Sequence, residues 1–511
     1  MARRGRNRNT NTHPDVAIPS QTHIWSCGFP RDRALFSSLN GRNHTSGHAI
    51  RSMKTKGHTM TQHSNRRRIV VGVGVLASGA LLASCAGAGG GGGGGGEDGV
   101  TTLTLATVNN PQMVDMQELA DAFHEEHEDI RVEFVQMEEN DLRDKVTTDI
   151  STGGGQYDIM TIGSYEVPIW AENGWLADLT EYSSAEEYDV DDLMPPVRDA
   201  LTVDDSLYAV PFYAESSFLM YNEEILDEAG LEVPEHPTWQ EIAEMAREVD
   251  DDDTTGICLR GKPGWGELFA PLTTVVQTFG GNWYDEDWNA QVDGEGFTEA
   301  VQFYTDLVAD AGESDPVSYG FTECLNLFTQ GDAAFWYDAT SAAGSVESAD
   351  LSDVAGKIGY AHAPTVETEE SGWLWAWNLA IPESSEKKDA AWEFMQWATS
   401  KEYVELVGNE LGWSRVPPGS RQSTYELAEY QEEAGAFADL TYDIMTSVDP
   451  TQPGVDPQPW TGIQYVTIPE FQDVGNQVSQ EIAEVFAGRA SVEDALAAGQ
   501  RIAQDAGDAQ K

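Results

Sequence analysis

Between Thr102 and Gly163 strand patterns alternate with helix patterns, and this alternation restricts the chain to a parallel sheet covered by helices. Thr102-Leu103-Thr104-Leu105-Ala106-Thr107-Val108 has the period of two expected of a strand, and Met113, Met116, Leu119, Ala120 and Phe123 then recur at helical spacing. The cycle repeats with a strand over 131–135, a helix over 141–150 and a buried strand from Tyr157 to Ile162, closed by Gly163. Parallel neighbours need a long crossover, so these are βα units.

Further on, extended pieces at 208–210 and 217–221 flank Pro211, and Asn222 caps a helix that Gly230 stops. The spacing predicts a crossing to a second lobe near Phe212 to Ser216. That lobe is expected to hold helices over 239–249, 268–279, 297–311 and 324–329, with strands over 256–259 and 333–337. Trp373 to Ile381 reads as a strand returning to the first lobe, followed by a helix over 387–397. A helix pair over 471–486 and 492–503, joined at Gly488, goes back to the second. The expected division is lobe one at 100–212 and 375–415, and lobe two at 216–372 and 420–508. Three crossings between two α/β lobes make a hinged pair, with a ligand cleft between sheet ends.

Charge excludes several partners. Residues 1–84 carry 13 basic and 2 acidic side chains, whereas the remaining 427 carry 16 basic and 85 acidic ones. A field of that sign repels phosphate backbones and anionic headgroups, so no nucleic-acid partner is expected. Acidity distributed along every helix, with seven Lys in the acidic part, fits a salt-adapted source in which self-repulsion is screened.

The basic segment reads as an export signal. Arg66-Arg67-Arg68 precedes an apolar run from Ile69 to Leu82 that is too short to span a bilayer, for which ~20 residues are needed. Leu82-Ala83-Ser84-Cys85 resembles a lipobox, which would leave Cys85 as a lipidated N-terminus, and Asn65 to Val70 resembles a twin-arginine signal. Against these stands an ordinary cleaved signal with a chance cysteine. The unbroken Gly89 to Gly96 favours the anchor, because a flexible tether lets a globular body stand off the membrane. Residues 1–84 are thus leader and signal peptide, with Met53 or Met60 as the expected start, and 85–99 are anchor and tether. Cys258 and Cys324 could pair or remain thiols; spacing does not decide.

Catalytic motifs are sparse. His124-Glu125-Glu126-His127 lacks the spacing of a zinc helix and reads as a solvated acidic face. Gly153-Gly154-Gly155 ends a helix instead of opening one, so it is no phosphate cradle. After Cys85 the only histidines are His124, His127, His236 and His362, which gives a Ser-His-Asp site little to build on. No metal or cofactor is expected. Paired carboxylates and tryptophans leave a secreted glycosidase as the enzyme alternative.

The aromatics say more. Trp265 lies in Arg260-Gly261-Lys262-Pro263-Gly264-Trp265-Gly266-Glu267, a loop between strand and helix, where an indole can lie against the C–H face of a sugar or polyol. The other reading makes it an anchor within its own lobe. If it faces the cleft, Trp265→Ala should weaken binding at little cost in stability. Trp373, Trp375 and Trp377 alternate; Trp373 and Trp375 are assigned to the cleft and Trp377 to packing. Asp338 ends a strand, where it either faces the cleft or caps a helix from Thr340 onward. Arg415, braced by Pro417 and Pro418, could chelate vicinal hydroxyls or pair with a carboxylate.

From Leu103 to about Ala503 the chain resembles the family 1 extracellular solute-binding proteins of ABC importers, and within them the mannitol/sorbitol-binding branch. The residues that carry the likeness are Ala106-Thr107-Val108-Asn109-Asn110, Glu138-Glu139-Asn140, the run from Gln156-Tyr157-Asp158 through Pro168-Ile169-Trp170, and Gly462-Ile463-Gln464-Tyr465 through Pro469-Glu470-Phe471. The resemblance implies a periplasmic-binding-protein-like fold of type II. It implies that Asn109, Glu139, Asn140 and Tyr165 face Lys262, Trp265 and Asp338 across the cleft, joined by Tyr213, Glu215, Trp373, Trp375 and Arg415. The implied partners are a polyol or sugar, the ABC permease subunits, and the membrane through Cys85, with the protein a monomer at the outer face of the cytoplasmic membrane. A surface sugar sensor would share the fold.

Overall fold

The computed structural model describes residues 99–511. The proposed lipid site Cys85, the twin-arginine run and the glycine tether lie outside the described residues.

The chain opens with β1 (Thr101–Val108), α1 (Pro111–Glu126), β2 (Ile130–Met137), α2 (Glu139–Thr152) and β3 (Ile159–Gly163), the predicted βαβαβ order with each boundary moved by a few residues. Pro111 stands at the first position of α1, where its missing N–H costs nothing, and Gly153 ends α2 with φ +63°. After three short α-helices and a two-stranded ribbon come β4 (Val210–Glu215) and β5 (Ser217–Asn222). Asn222 Oδ1 accepts from the amides of Glu224 and Ile225, capping α3 (Glu223–Ala229), and Gly230 closes it with φ +73°. Next are α4 (Trp239–Val249), β6 (Thr255–Cys258), α5 (Phe269–Thr278), α6 (Glu295–Ala311), α7 (Phe321–Thr329), β7 (Ala333–Ala339) and β8 (Ile358–His362). The chain continues through β9 (Trp375–Ala380), α8 (Lys388–Ala398), α9 (Lys401–Leu411) and α10 (Ala438–Ser447), and ends with α11 (Phe471–Phe486) and α12 (Val492–Gln510).

These strands make two sheets, one per lobe. The first runs β2-β1-β3-β9-β4, with β1, β2 and β3 parallel and β9 antiparallel to both β3 and β4. β3 and β9 are buried at every position, as strands covered on both faces must be. Pro211 is tolerated because β4 is an edge and the β9–β4 register shifts beside it. The second sheet runs β8-β5-β7-β6. Ser216 alone separates β4 of one sheet from β5 of the other, so the chain changes lobe within one residue. A disulfide joins Cys258 at the end of β6 to Cys324 in α7.

The lobes are closed on one another. Asn140 Nδ2 donates to Pro263 O at 3.1 Å, Gln112 Nε2 to Ser341 O at 2.9 Å, and the Tyr165 hydroxyl to Ile468 O at 2.8 Å. Lys262 Nζ reaches Glu138 at 3.2 Å.

Candidate functional site

Where the sheet ends meet, the lobes leave a narrow cavity with about 30 Å³ open to the centre of a water-sized sphere. From lobe one, the first two turns of α2 supply Glu139 and Arg143, which the i,i+4 spacing sets on one helix face. Arg143 Nε and Nη2 donate to Glu139 Oε1 at 2.9 and 2.8 Å, and Nη1 donates to Glu166 Oε1. Glu166 is fixed in turn by the Gly163 amide, which donates to Oε2 at 2.9 Å. Three indoles surround this guanidinium: its carbon lies 4.1 Å from the ring centroid of Trp265, 4.8 Å from Trp377 and 5.1 Å from Trp375. Asn110, just past β1, donates to the Tyr213 hydroxyl at 2.7 Å. Glu215 ends β4 and accepts from the Ser341 hydroxyl of the other lobe.

From lobe two, Arg260 follows β6. Its Nε donates to Asp338 Oδ2 at 2.8 Å, Nη2 donates to Oδ1, and Nη1 donates to Gly266 O at 3.0 Å. Trp336 Nε1 and the Ala339 amide also donate to Asp338, which is fully buried at the end of β7. The Trp265 loop hangs from α11: the Gly264 amide donates to Ser479 Oγ at 2.9 Å and the Trp265 amide to Asn476 Oδ1 at 3.0 Å. Gln464 completes the wall.

Burial sets the charge state. Desolvation pushes the Glu215 carboxyl up to about 8, assisted by Asp338 and Glu139 and opposed by the Ser341 hydrogen bond and Arg260. Desolvation also raises Glu139, against the pull of Arg143. Arg260 stays firmly protonated, because Asp338, Glu267 and Glu139 more than offset its burial. Trp265 Nε1 and Gln464 Oε1 are buried with no hydrogen-bond partner among the described residues.

Of the predicted site residues, Glu139, Glu215, Trp265 and Trp375 line the cavity. Tyr213 and Asp338 stand one layer behind, holding Asn110 and Arg260. Tyr165 packs edge-on to Trp265 at 5.1 Å with its hydroxyl committed to Ile468 O. Asn140 and Lys262 bridge the lobe seam. Three positions lie elsewhere. Asn109 bonds Glu138 at 2.8 Å, and Arg415 pairs with Asp115 in a separate groove between α1 and α7. Trp373 precedes β9, so the alternation does not extend to it, and it is buried in lobe two against Tyr337. Trp377, assigned to packing, lines the cavity beside Trp375.

Sequence reasoning missed Asn110, Arg143, Arg260 and Gln464 as lining residues. Asn110, Arg260 and Gln464 stood inside segments already singled out. Arg143 carried a fainter signal, a cation on the face of an acidic helix in a body poor in cations.

The model of the bacterial extracellular solute-binding protein family matches residues 87–405. The chain belongs to that family. The solute-binding protein is 44% identical over 423 residues to the mannitol-binding protein of Pseudomonas aeruginosa, covering 82% of this chain and 96% of the relative. It resembles an ABC transporter solute-binding protein from Agrobacterium vitis solved with bound D-mannitol, at 48% identity and a TM-score of 0.78, covering 80% of this chain and 99% of that one. A ribitol complex from Agrobacterium radiobacter, at 24% identity and a TM-score of 0.70 over 80% and 99% of the two chains, shares the fold. The protein is an exported binder and not an enzyme, which sets the glycosidase alternative aside.

Proposed function

We propose that this binding protein captures a linear polyol, D-mannitol first, in the closed cleft and delivers it to the permease of an ABC importer. The observation that carries the reading is the cavity's polar balance. Both guanidiniums are committed to carboxylates, so no uncompensated cation awaits a phosphate or carboxylate ligand. Carboxylates, the Gln464 acceptor and the Trp265 donor together suit neutral hydroxyls, which donate and accept, while the indole faces suit C–H edges. The likeness to a protein solved with D-mannitol supports the same choice.

In this reading Asn110, Glu139, Arg143, Glu215, Arg260, Trp265, Trp375, Trp377 and Gln464 contact the ligand. Tyr213 and Asp338 brace them, Tyr165 backs Trp265, and Asn140 and Lys262 latch the lobes. A ligand touching both lobes stabilises the closed form by its differential affinity for it. We extend the proposal to a monomer anchored through lipidated Cys85, exported by the twin-arginine route from a salt-adapted source. The lobes would exchange chain near 212–216, 372–375 and 415–420.

The test is calorimetric titration in molar KCl against mannitol, sorbitol, xylitol, glucose, trehalose and maltose. One-to-one binding to an alditol, at micromolar affinity or tighter, is expected. Tight binding to a ring sugar alone would keep the importer role and overturn the polyol assignment.

A further inference from the structure

Two of the four histidines among the described residues meet far from the cleft. His124 and His127 are occupied along α1, the first with Arg131 and the Val132 amide, the second with Glu393. His236 and His362 instead stack on each other, with ring centroids 4.1 Å apart and planes inclined by 22°. Glu235 adds a carboxylate, and one donor atom from each of the three residues lies within 4.8 Å of the others.

The backbone brings these side chains together before any ligand is considered. The segment entering α4 runs parallel to the segment leaving β8, with a bridge between Thr238 and Thr365. The His362 amide donates to Glu235 O, the Thr365 amide to Pro237 O and the Trp239 amide to Thr365 O, each at 3.1 Å. A capping box between Thr238 and Glu241 fixes the start of α4. Glu235 and His236 are exposed and His362 is half-buried, so the donors are open to solvent on a prepared frame.

We propose that Glu235, His236 and His362 bind one divalent transition-metal ion, Zn²⁺ foremost, with water completing a four-coordinate set. Two imidazoles and one carboxylate are borderline donors of the kind Zn²⁺ takes, whereas Mg²⁺ and Ca²⁺ require oxygen throughout. Ligand atoms on a tetrahedral ion stand about 3.3 Å apart for bonds of ~2.0–2.1 Å, which small rotations of these side chains provide. The bound ion would clip the loop before α4 to the end of β8, an edge strand of the lobe-two sheet. None of the three residues lines the cleft, so the site stands independently of the polyol reading.

The full chain would be titrated calorimetrically with Zn²⁺ in molar KCl and excess Mg²⁺, which suppresses diffuse binding to surface carboxylates. His236→Ala and His362→Ala would be compared with the parent after circular dichroism confirms that each is folded, and Glu235→Gln serves as a milder third variant. The expected result is one site per chain that weakens at least ~10-fold in each histidine variant, with no further site lost when both are replaced. A parent that binds no Zn²⁺ under these conditions, or variants with unchanged stoichiometry and affinity, would overturn the assignment.

Discussion

Gln464 Oε1 and Trp265 Nε1 are buried in the cleft without a partner, and an unpaired buried dipole costs roughly 1–3 kcal/mol. Gln464→Leu removes one of them, so thermal stability should hold or rise while polyol affinity falls by about tenfold or more; paired melting curves and titrations would check both halves. For Trp265→Ala the packing changes the expectation set by its loop position. The indole packs against Tyr165, Trp375, Tyr465 and Phe471 with centroids 5.1–6.4 Å away and is 1% exposed. Its loss should therefore lower stability by about 3–5 kcal/mol as well as affinity, readable in urea unfolding. Sequence suggested a ligand face or a packing anchor for this residue; the structure packs it as an anchor and sets it in the cavity wall. Two carboxyls carry a pH prediction: burial pushes Glu215 and Glu313 each up to about 8. Between about 4.5 and 8 the folded state keeps protons that the unfolded chain has released. Stability should thus fall as pH rises through that window, by up to ~1.4 kcal/mol per pH unit per group, and level off above it. Glu313→Gln, remote from the cleft, should remove its share of the slope.

At the scale of elements, the crosslink between β6 and α7 fixes two segments that are 66 residues apart in sequence. Closing a loop of that length is worth about 4 kcal/mol in the chain-entropy model. Cys258→Ser with Cys324→Ser should lower stability by roughly 2–4 kcal/mol and leave polyol affinity within twofold, which denaturant titration and calorimetry would separate. The βα units and the α11–α12 pair were legible in the sequence because their apolar periods are strong and Asn222, Gly153 and Gly230 punctuate them. β8 was not, since Ile358-Gly359-Tyr360 breaks the alternation with a glycine; the Tyr221 side chain of the neighbouring strand occupies the space a β-carbon would need there. The site was legible to the same limited depth. Trp375 follows from the alternation and Glu139 from the family resemblance, but the Trp265 loop takes its position from Asn476 and Ser479, more than two hundred residues away. Arg260 took Asp338 out of the lining by pairing with it, and local spacing does not reveal such a partner.

Across the whole molecule, charge and closure are coupled. The 427 residues after Ser84 carry 85 acidic and 16 basic side chains, and screening of their repulsion shortens from ~10 Å at 0.1 M salt to ~3 Å at 1 M. The melting temperature should therefore climb steeply with KCl, more than in a variant with several exposed Glu changed to Gln. Lobe closure should also favour high salt, because both lobes bear the same sign; small-angle scattering with and without polyol at two salt concentrations would show it. The Trp265 loop meets lobe one through glycines. A β-carbon on Gly266 would run into the Glu139 carboxylate, and one on Gly264 into the Asn140 amide. The atoms they would strike belong to lobe one, so Gly266→Ala should make closure rarer, and it also displaces the Glu139 carboxylate from the cavity wall. Apparent affinity scales with the fraction of molecules able to close. The methyl group absent at Gly266 therefore bears on the range of solute concentration over which such a protein is half loaded, through closure and through the seat of Glu139 together.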